Sequence, residues 1–385
     1  MADIHDSPHL ATSHPDVPRL DPETVDRIVP RAQGRVWKPK RVLFTRSARE
    51  WPLAQTIRER AEGMGAEIVD LSGDRVVISK GNSPAEAYRN AKTTLAVVCA
   101  PPSKRRPQPI PPSADFRFDL ATGCPAHCQY CYLAGSLQGP PVTRVHANLP
   151  EVLAELPPLL GQGTITSTDA ARAAEGTTFE ASCYTDPLGI EPVTGALSRT
   201  VEWFGRWDAD VQLRFTTKYD GVEPLLELAH GGRVRARFSV NAQTITRRFE
   251  GGTAKLADRL AAMGRMAEAG YKVGLTIAPI MPVENWRDEY RRLLEDAGRA
   301  LARTNRADLT VELITHRFTP GSKAVLTEWY PATGLEMDER VRSQKRTKFG
   351  SVKYVYPKEL MREMRDFFEE EIRGTLPDGK LLYWT

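Results

Sequence analysis

The sequence predicts an α/β protein whose larger part is a parallel sheet covered by helices, either an open barrel or a doubly wound sheet. Three observations predict it. From residue 116 onward, short apolar segments alternate with helical stretches to give six strand–helix units in succession. A shorter run of the same alternation occupies residues 41–99. The strands VQLRF, RVRARFSV and YKVGLTIA also mix long charged residues with apolar ones, which strands of a sheet buried on both faces do not do. Inward-facing charges suit a wide barrel with a polar ligand inside.

Taken in order, residues 1–35 are rich in Pro, Asp, His and Ser with no apolar period, and they read as a disordered tail. An N-terminal α/β domain follows over 36–108. Its elements are the strand RVLFT (41–45), a helix over 52–64 opened by Pro52, the strand AEIVD (66–70), a helix over 83–92 and the strand LAVVC (95–99). Residues 101–115 hold six prolines along with Lys104, Arg105 and Arg106, a composition that marks a domain boundary. Within the main domain, 109–335, candidate strands are 116–120, 177–182, 211–216, 233–240, 272–278 and 309–315. Candidate helices there are 147–160, 192–206, 222–230, 255–269, 285–302 and 322–329. The last segment, 336–385, carries the basic run RVRSQKRTKFG (340–350), the strand SVKYVY (351–356) and a charged helix over 358–373.

A chain of 385 residues with 41% hydrophobic composition can bury a sizeable core. Its net charge of +4 permits a polyanionic partner without demanding one. No apolar run approaches the roughly 20 residues that span a bilayer. The opening MADIHDSPHL lacks the basic and apolar segments of a signal peptide. No membrane association and a cytoplasmic location are therefore expected. Of the five cysteines, Cys124, Cys128 and Cys131 fall within eight residues, a spacing that points to metal binding rather than disulfides. Cys99, in LAVVC, reads as a buried hydrophobe.

The segment ATGCPAHCQYCYLAG places the three cysteines directly after the first strand of the repeat. Thiolates are soft ligands that select iron–sulfur clusters, zinc or Cu(I). Structural zinc recruits a fourth ligand, for which His127 is badly placed and His146 could serve. A [4Fe–4S] cluster on three cysteines instead leaves one iron open to a substrate. Cys183 closes the second strand in FEASCYTDPLGIEP. It is either a packed apolar cysteine or, at the mouth of a barrel, a thiol able to donate a hydrogen atom.

The Cx3CxxC spacing, with Tyr130 just before the third cysteine, resembles the signature of the radical S-adenosylmethionine superfamily. The blocks GCPAHCQYCYL (123–133), FEASCYTDPLGIE (179–191), RFTTKYDGVEPLL (214–226), RFSVN (237–241), FEGGTAKLADRL (249–260), AGYKVGLTIAPI (269–280), ELITHRFTPGSK (312–323) and VKYVYPKE (352–359) resemble, more narrowly, the spore photoproduct lyase family. That resemblance implies a partial (β/α)6 TIM-like barrel with an N-terminal α/β extension and a C-terminal β-hairpin plus helix. It implies a [4Fe–4S] cluster on Cys124, Cys128 and Cys131, S-adenosylmethionine as cofactor, and repair of 5-thyminyl-5,6-dihydrothymine in damaged DNA. By the same resemblance Cys183 donates the hydrogen atom that ends the reaction. Tyr132, together with Tyr130, resembles the family's tyrosine relay. Ser239, Asn241, Lys218 and Thr185 are expected around the cofactor, with a DNA phosphate as the other reading for Lys218.

Arg317, Arg340, Arg342, Lys345, Arg346, Lys348 and Lys353 are expected to meet DNA, while His316 reads equally as a member of a cluster with Glu312 and Arg317 at the strand end or as a satisfied core histidine. An electron donor of unidentified nature is implied, and a monomer is expected. Two features depart from the family pattern. KFG (348–350) runs straight into SVKYVY, where relatives carry a longer turn with an Arg–Tyr wedge, and Tyr184 replaces a smaller threonine. Two other readings stay open on the residues alone. One is a radical enzyme acting on another nucleic-acid lesion or a small molecule, and the other is a non-enzymatic iron–sulfur protein that binds nucleic acid.

Overall fold

Two sheets organise the chain. In this computed structural model the described residues are 17–18, 34–78, 81–135, 139, 141–304, 308–346, 350 and 352–385. Most of the expected tail over 1–35, and Lys348, therefore lie outside the described residues.

The larger sheet has eight strands in the order Lys380–Trp384, Thr310–Thr315, Lys272–Ile280, Val234–Val240, Val211–Thr217, Thr177–Ala181, Ala114–Phe118 and Gln108–Ile110. Its six central strands are those expected from the sequence, all parallel and in chain order. Lys380–Trp384 joins parallel at one edge, and Gln108–Ile110 joins antiparallel at the other. The sheet, curled around its inward residues and flanked by helices, is a partial TIM-like barrel with extra elements at both ends. The helices follow the apolar period of their sequences. In Lys358–Thr375, for example, Met364, Phe368 and Ile372 recur every four residues and are the buried face. The helix expected over 192–206 is two helices, Pro187–Thr194 and Ala196–Arg206, divided at Gly195.

The smaller sheet has the order Glu67–Asp70, Arg41–Phe44, Thr94–Val98, Thr143–His146 and Ala121–Thr122. Its last two strands come from beyond residue 109, so the main segment completes the N-terminal sheet. The proline-rich stretch 101–115 is likewise not empty of structure. It forms a short helix, Pro102–Arg105, and the edge strand Gln108–Ile110, a place where a strand tolerates proline. One continuous core joins both sheets, from Val42 and Phe44 through Phe118 and Phe179 to Phe368. Among the described residues no helix is long and apolar enough to cross a membrane.

The charged residues of the barrel strands do face inward, but they pair with one another. Arg214 and Glu180 are register partners on adjacent strands, and Arg237 and Glu312 lie further round the sheet. Glu312 accepts from Arg237 Nη1 at 2.8 and 2.9 Å, Arg214 Nη2 at 3.1 Å, Thr276 Oγ1 at 3.1 Å and Tyr383 Oη at 3.2 Å. Arg237 also pairs with Glu180, whose other oxygen takes Ser113 Oγ at 2.5 Å. Burial alone would raise the Glu312 carboxyl, but the guanidinium groups of Arg237 and Arg214 outweigh it and hold the pKa below the ordinary value. The expectation that these charges await a ligand is thus replaced by an internal network. Glu312→Ala would leave two guanidinium groups buried without their shared carboxylate. It is expected to destabilise the fold by about 3–5 kcal/mol in a urea titration.

Candidate active site

The cysteine loop leaves the barrel after Ala114–Phe118 and crosses into the smaller sheet. Gly123 makes this passage with φ +78, and a Cβ there would come within 2.2 Å of Val142 O. The loop is then pinned from three directions. His127–Cys128 pairs antiparallel with Glu250–Gly251, and Gln129 N donates to Phe249 O at 2.9 Å. Lys92, buried and reaching over from the N-terminal helix Pro84–Lys92, donates from Nζ to Cys124 O at 2.7 Å and to Ala126 O at 2.5 Å. From the far side, Thr333 Oγ1 donates to Gln129 Oε1 at 2.6 Å. His127 faces Tyr88, with Nδ1 3.2 Å from the phenol oxygen, and His146 Nδ1 lies 2.8 Å from Asp119 O.

All five cysteines are free thiols, and Cys99 lies apart at the end of the smaller sheet's central strand. Burial pushes Cys124 up to about 11 and Cys128 higher still. Charge on Cys131 raises both further, so the three thiols lie within electrostatic reach of one another. Among the described residues no group of three or more His, Cys, Asp or Glu side chains is drawn together to hold a single ion. The donor set of the loop, three soft sulfurs, fits a cluster that needs three protein ligands.

Beneath the loop lies Glu250, a carboxylate with no solvent exposure. It accepts from Arg259 Nη2 at 2.5 Å, from Lys218 Nζ at 3.1 Å and from the Tyr130 hydroxyl. Burial would raise Glu250, yet Lys218 and Arg259 hold it below the ordinary carboxylate value. Lys218 Nζ also donates to Ser239 Oγ at 2.9 Å, and Arg259 Nη1 to Ser239 O at 3.0 Å. Lys218 and Ser239 therefore meet, as two members of the expected cofactor set. Asn241 does not join them through its side chain, whose atoms are engaged with Pro279 O at 2.6 Å, Ala242 N at 2.9 Å and Tyr290 Oη at 2.8 Å.

Cys183 follows the strand Thr177–Ala181 through Ser182, a non-glycine residue at φ 59. Such a conformation costs energy, and here the surroundings impose it. Ser182 N donates to Phe118 O at 2.7 Å, while Ser182 Oγ accepts from Leu120 N at 2.9 Å. The turn presents Cys183 beside Tyr132, whose hydroxyl donates to Cys183 O at 2.6 Å. Tyr132 keeps 68% of its surface accessible, so its ring is anchored by the hydroxyl while a face stays open. Burial, then Glu180 and Asp119, push the Cys183 thiol well above its ordinary value, and the sulfur keeps its proton at neutral pH. Two residues on, Thr185 Oγ1 is buried with no hydrogen-bond partner, an orphan that a bound ligand would satisfy. Tyr184, the bulky replacement, has Arg117 stacked on its ring at 4.5 Å.

The basic strip divides. Ser343–Arg346 and Val352–Val355 form the expected hairpin, in which Lys345 stands directly opposite Lys353. Burial, then Arg317 and Lys345, depress Lys353, so three cations share one place. Like charges opposed across a hairpin are destabilising, and a polyanion would relieve them. Arg346 is exposed on the same strand, and Arg340 is exposed but bonded to Asp338 at 2.6 Å. Arg342 corrects the expectation. Its guanidinium is fully buried, paired with Glu336 at 2.5 Å, donating to His316 O at 3.1 Å and stacked 3.6 Å over Tyr356. It builds the base of the hairpin instead of its binding face. Of the two readings of His316 the core histidine is the one that fits, since it is buried with its pKa lowered to about 3 by burial and Arg342.

Sequence reasoning missed Lys92, Glu250, Arg259 and Tyr88. Glu250 and Arg259 lie inside the FEGGTAKLADRL block, where an acid nine residues before an arginine carries no spacing signal. Lys92 and Tyr88 sit on a helix of the other sheet.

With this geometry in view, the chain can be set against known proteins. The family model described as spore photoproduct lyase matches residues 37–385. The spore photoproduct lyase of Bacillus subtilis (strain 168) is 38% identical over 348 residues, covering 90% of this chain and 98% of that protein. That of Clostridium acetobutylicum is 31% identical, covering 86% and 95%. A solved double mutant of spore photoproduct lyase with bound AdoMet and dinucleoside spore photoproduct superposes with a TM-score of 0.82 at 37% identity, covering 90% of this chain and 99% of that one. A solved spore photoproduct lyase complexed with dinucleoside spore photoproduct gives 0.82 at 37%, covering 91% and 99%.

One titration follows from the neighbourhood of Cys183. Burial outweighs Arg117 and raises Asp119 to about 6 from 3.8. A carboxyl whose folded value is raised penalises the fold once ionised. That penalty is absent below about pH 4, grows through pH 6 and is complete at pH 7. Asp119→Asn should therefore be more stable than the parent at pH 7, by at most about 3 kcal/mol. The two should converge near pH 3.5 in thermal unfolding followed by circular dichroism.

Proposed function

The chain belongs to the spore photoproduct lyase family, and on that premise we propose that it is a radical S-adenosylmethionine lyase returning the spore photoproduct in DNA to two thymines. The observation that carries this reading is the meeting of Tyr132 and a protonated Cys183 beside the three-cysteine loop. Cys124, Cys128 and Cys131 would hold a [4Fe–4S] cluster. Lys218, Ser239 and the orphan hydroxyl of Thr185 are the groups available to S-adenosylmethionine, with Asn241 shaping the wall behind them through the backbone at Pro279. When bound, cluster and cofactor supply a 5′-deoxyadenosyl radical able to take a hydrogen atom from carbon.

The protein's own part is to aim and to finish. A thiol S–H is weaker than most C–H bonds, so Cys183 can give its hydrogen atom to the thymine radical left when the bond joining the two bases has broken. Its raised pKa serves this role, since a thiolate has no hydrogen to give. Tyr132 would relay a hydrogen atom onward, a reading supported by its hydrogen bond to the backbone carbonyl of that same residue. Tyr130, buried and donating to Glu250, supports the loop from below and is the weaker relay candidate.

DNA is the partner this reading requires, and a lesion must leave the stack to reach the strand ends. Arg317, Lys345 and Lys353 supply a sequence-independent grip on phosphate, with Arg346 and Arg340 alongside. A reductant must feed the cluster, and we assign it no site.

Protein reconstituted without oxygen and reduced should release thymine from a dinucleotide spore photoproduct in the presence of S-adenosylmethionine; intact lesion after cofactor cleavage would defeat the assignment. Cys183→Ala should keep its iron and its cofactor cleavage while clean thymine recovery drops at least tenfold. Replacing Lys345 and Lys353 together by alanine should flatten the salt dependence of DNA binding by about one to two phosphate contacts. The uncomplexed protein should be no less stable for the change, because two opposed charges are gone.

A further inference from the structure

Arg117 is a cation that the internal network of the barrel does not absorb. It stands on Ala114–Phe118 directly opposite Glu180 in the register of the neighbouring strand, and so shares the inner face of the sheet. Glu180 is already taken by Arg237 and Ser113. Arg117 reaches the other way, to Asp119 Oδ2, which accepts from Nη1 at 3.2 Å. Among the described residues no other group hydrogen-bonds to the Arg117 guanidinium. Its Nε and Nη2 are not sealed from solvent, and the side chain stays 20% exposed.

The guanidinium is nonetheless held beside the hydrogen donor. Its carbon lies 4.5 Å from the centre of the ring of Tyr184, which follows Cys183 in sequence. The segment that carries Asp119 is stitched to the same turn, since Phe118 O accepts from Ser182 N at 2.7 Å and Leu120 N donates to Ser182 Oγ at 2.9 Å. A guanidinium laid on an aromatic face is attracted by the ring, while its N–H groups stay free to donate at the edge. Arg117 is therefore oriented by two neighbours and saturated by neither. Four other cations of the barrel have no such reserve: Arg214 and Arg237 are committed to Glu312, and Lys218 and Arg259 to Glu250.

We propose that Arg117 is a substrate-binding residue whose free N–H groups grip the phosphate joining the two nucleosides of the lesion, with Tyr184 and Asp119 setting the plane of the guanidinium. This assignment rests on the reading of the chain as a lyase of the spore photoproduct. The two bases of the lesion are neutral, and the phosphate between them carries the formal charge. It must accompany the bases when they leave the stack, and at the barrel mouth it loses part of its water. A planar fork of donors matches two phosphate oxygens. Held there, the linkage between the nucleosides would fix where the thymine radical stands against the Cys183 thiol.

The test compares the dinucleotide spore photoproduct with the dinucleoside, which lacks the phosphate. Binding of each to the reconstituted full chain is measured by calorimetry without reductant, so that no turnover occurs, for the parent, Arg117→Gln and Arg117→Lys. Glutamine keeps the bulk beside Tyr184 and removes the charge. The parent should prefer the dinucleotide by about tenfold or more, and Arg117→Gln should lose that preference while binding the dinucleoside within about twofold of the parent. Arg117→Lys keeps the charge without the fork and should recover part of the preference. A preference unchanged in Arg117→Gln overturns the inference, as does an equal loss for both ligands, which would make Arg117 a part of the pocket wall. A parent that binds both ligands equally overturns the phosphate grip and leaves the lesion reading standing. A parent that binds neither overturns both together.

Discussion

Glu250 is a single ionised carboxylate with no access to water, and the arrangement of the site depends on it. Isolated, such a charge would be too costly to bury. Held by Arg259 and Lys218 and capped by the Tyr130 hydroxyl, it fixes three things at once. Its own backbone pairs with Cys128 and sets the height of the cysteine loop. Arg259 carries on to the carbonyl of Ser239 and Lys218 to its hydroxyl, so the fourth barrel strand ends in register with that loop. Removing the carboxylate would leave two buried cations and an unsupported loop in one stroke. A charge cluster that looks like binding machinery is therefore first a scaffold, with the binding groups arranged along its edge.

The same logic operates inside the barrel, where Arg214, Arg237, Glu180 and Glu312 fill the interior. A TIM-type barrel usually packs its interior with branched apolar layers. A partial barrel is wider, and long paired side chains span the gap. This polar plug also sits below Cys183, whose proton is retained partly because Glu180, a member of the plug, lies near. The plug thus links the packing of the barrel interior to the protonation of a sulfur at its mouth.

Much of this was legible in the sequence, and the reasons for the remainder are physical. The six parallel strands announce themselves by alternation with helices, and the three-cysteine loop by spacing, because both are local signals. Lys380–Trp384 escaped notice because a single edge strand after a long helix has no period to set it apart. Thr143–His146 escaped because it lies alone after an irregular loop and pairs in parallel with a strand some fifty residues earlier. Arg342 was grouped with its basic neighbours because charge in sequence does not say which side of a hairpin a residue faces. The structure folds it over Tyr356 while Lys345, three residues on, stays outside. Lys92 could not have been found locally at all, since its partners are backbone carbonyls of the cysteine loop, more than thirty residues further along the chain.

That crossing between sheets has a consequence for how the chain can change over generations. Ala121–Thr122 and Thr143–His146 enclose the cysteine loop and belong to the smaller sheet, while Lys92 clasps the loop from a helix of that sheet. The first hundred residues are consequently no detachable module. A recombination that exchanged them for a foreign α/β unit of the same outline would have to reproduce one lysine and two strand edges, or the cysteines would lose their mooring. Insertions and substitutions in this part of the chain are filtered by the demands of the cysteine loop, even where they lie far from it in sequence.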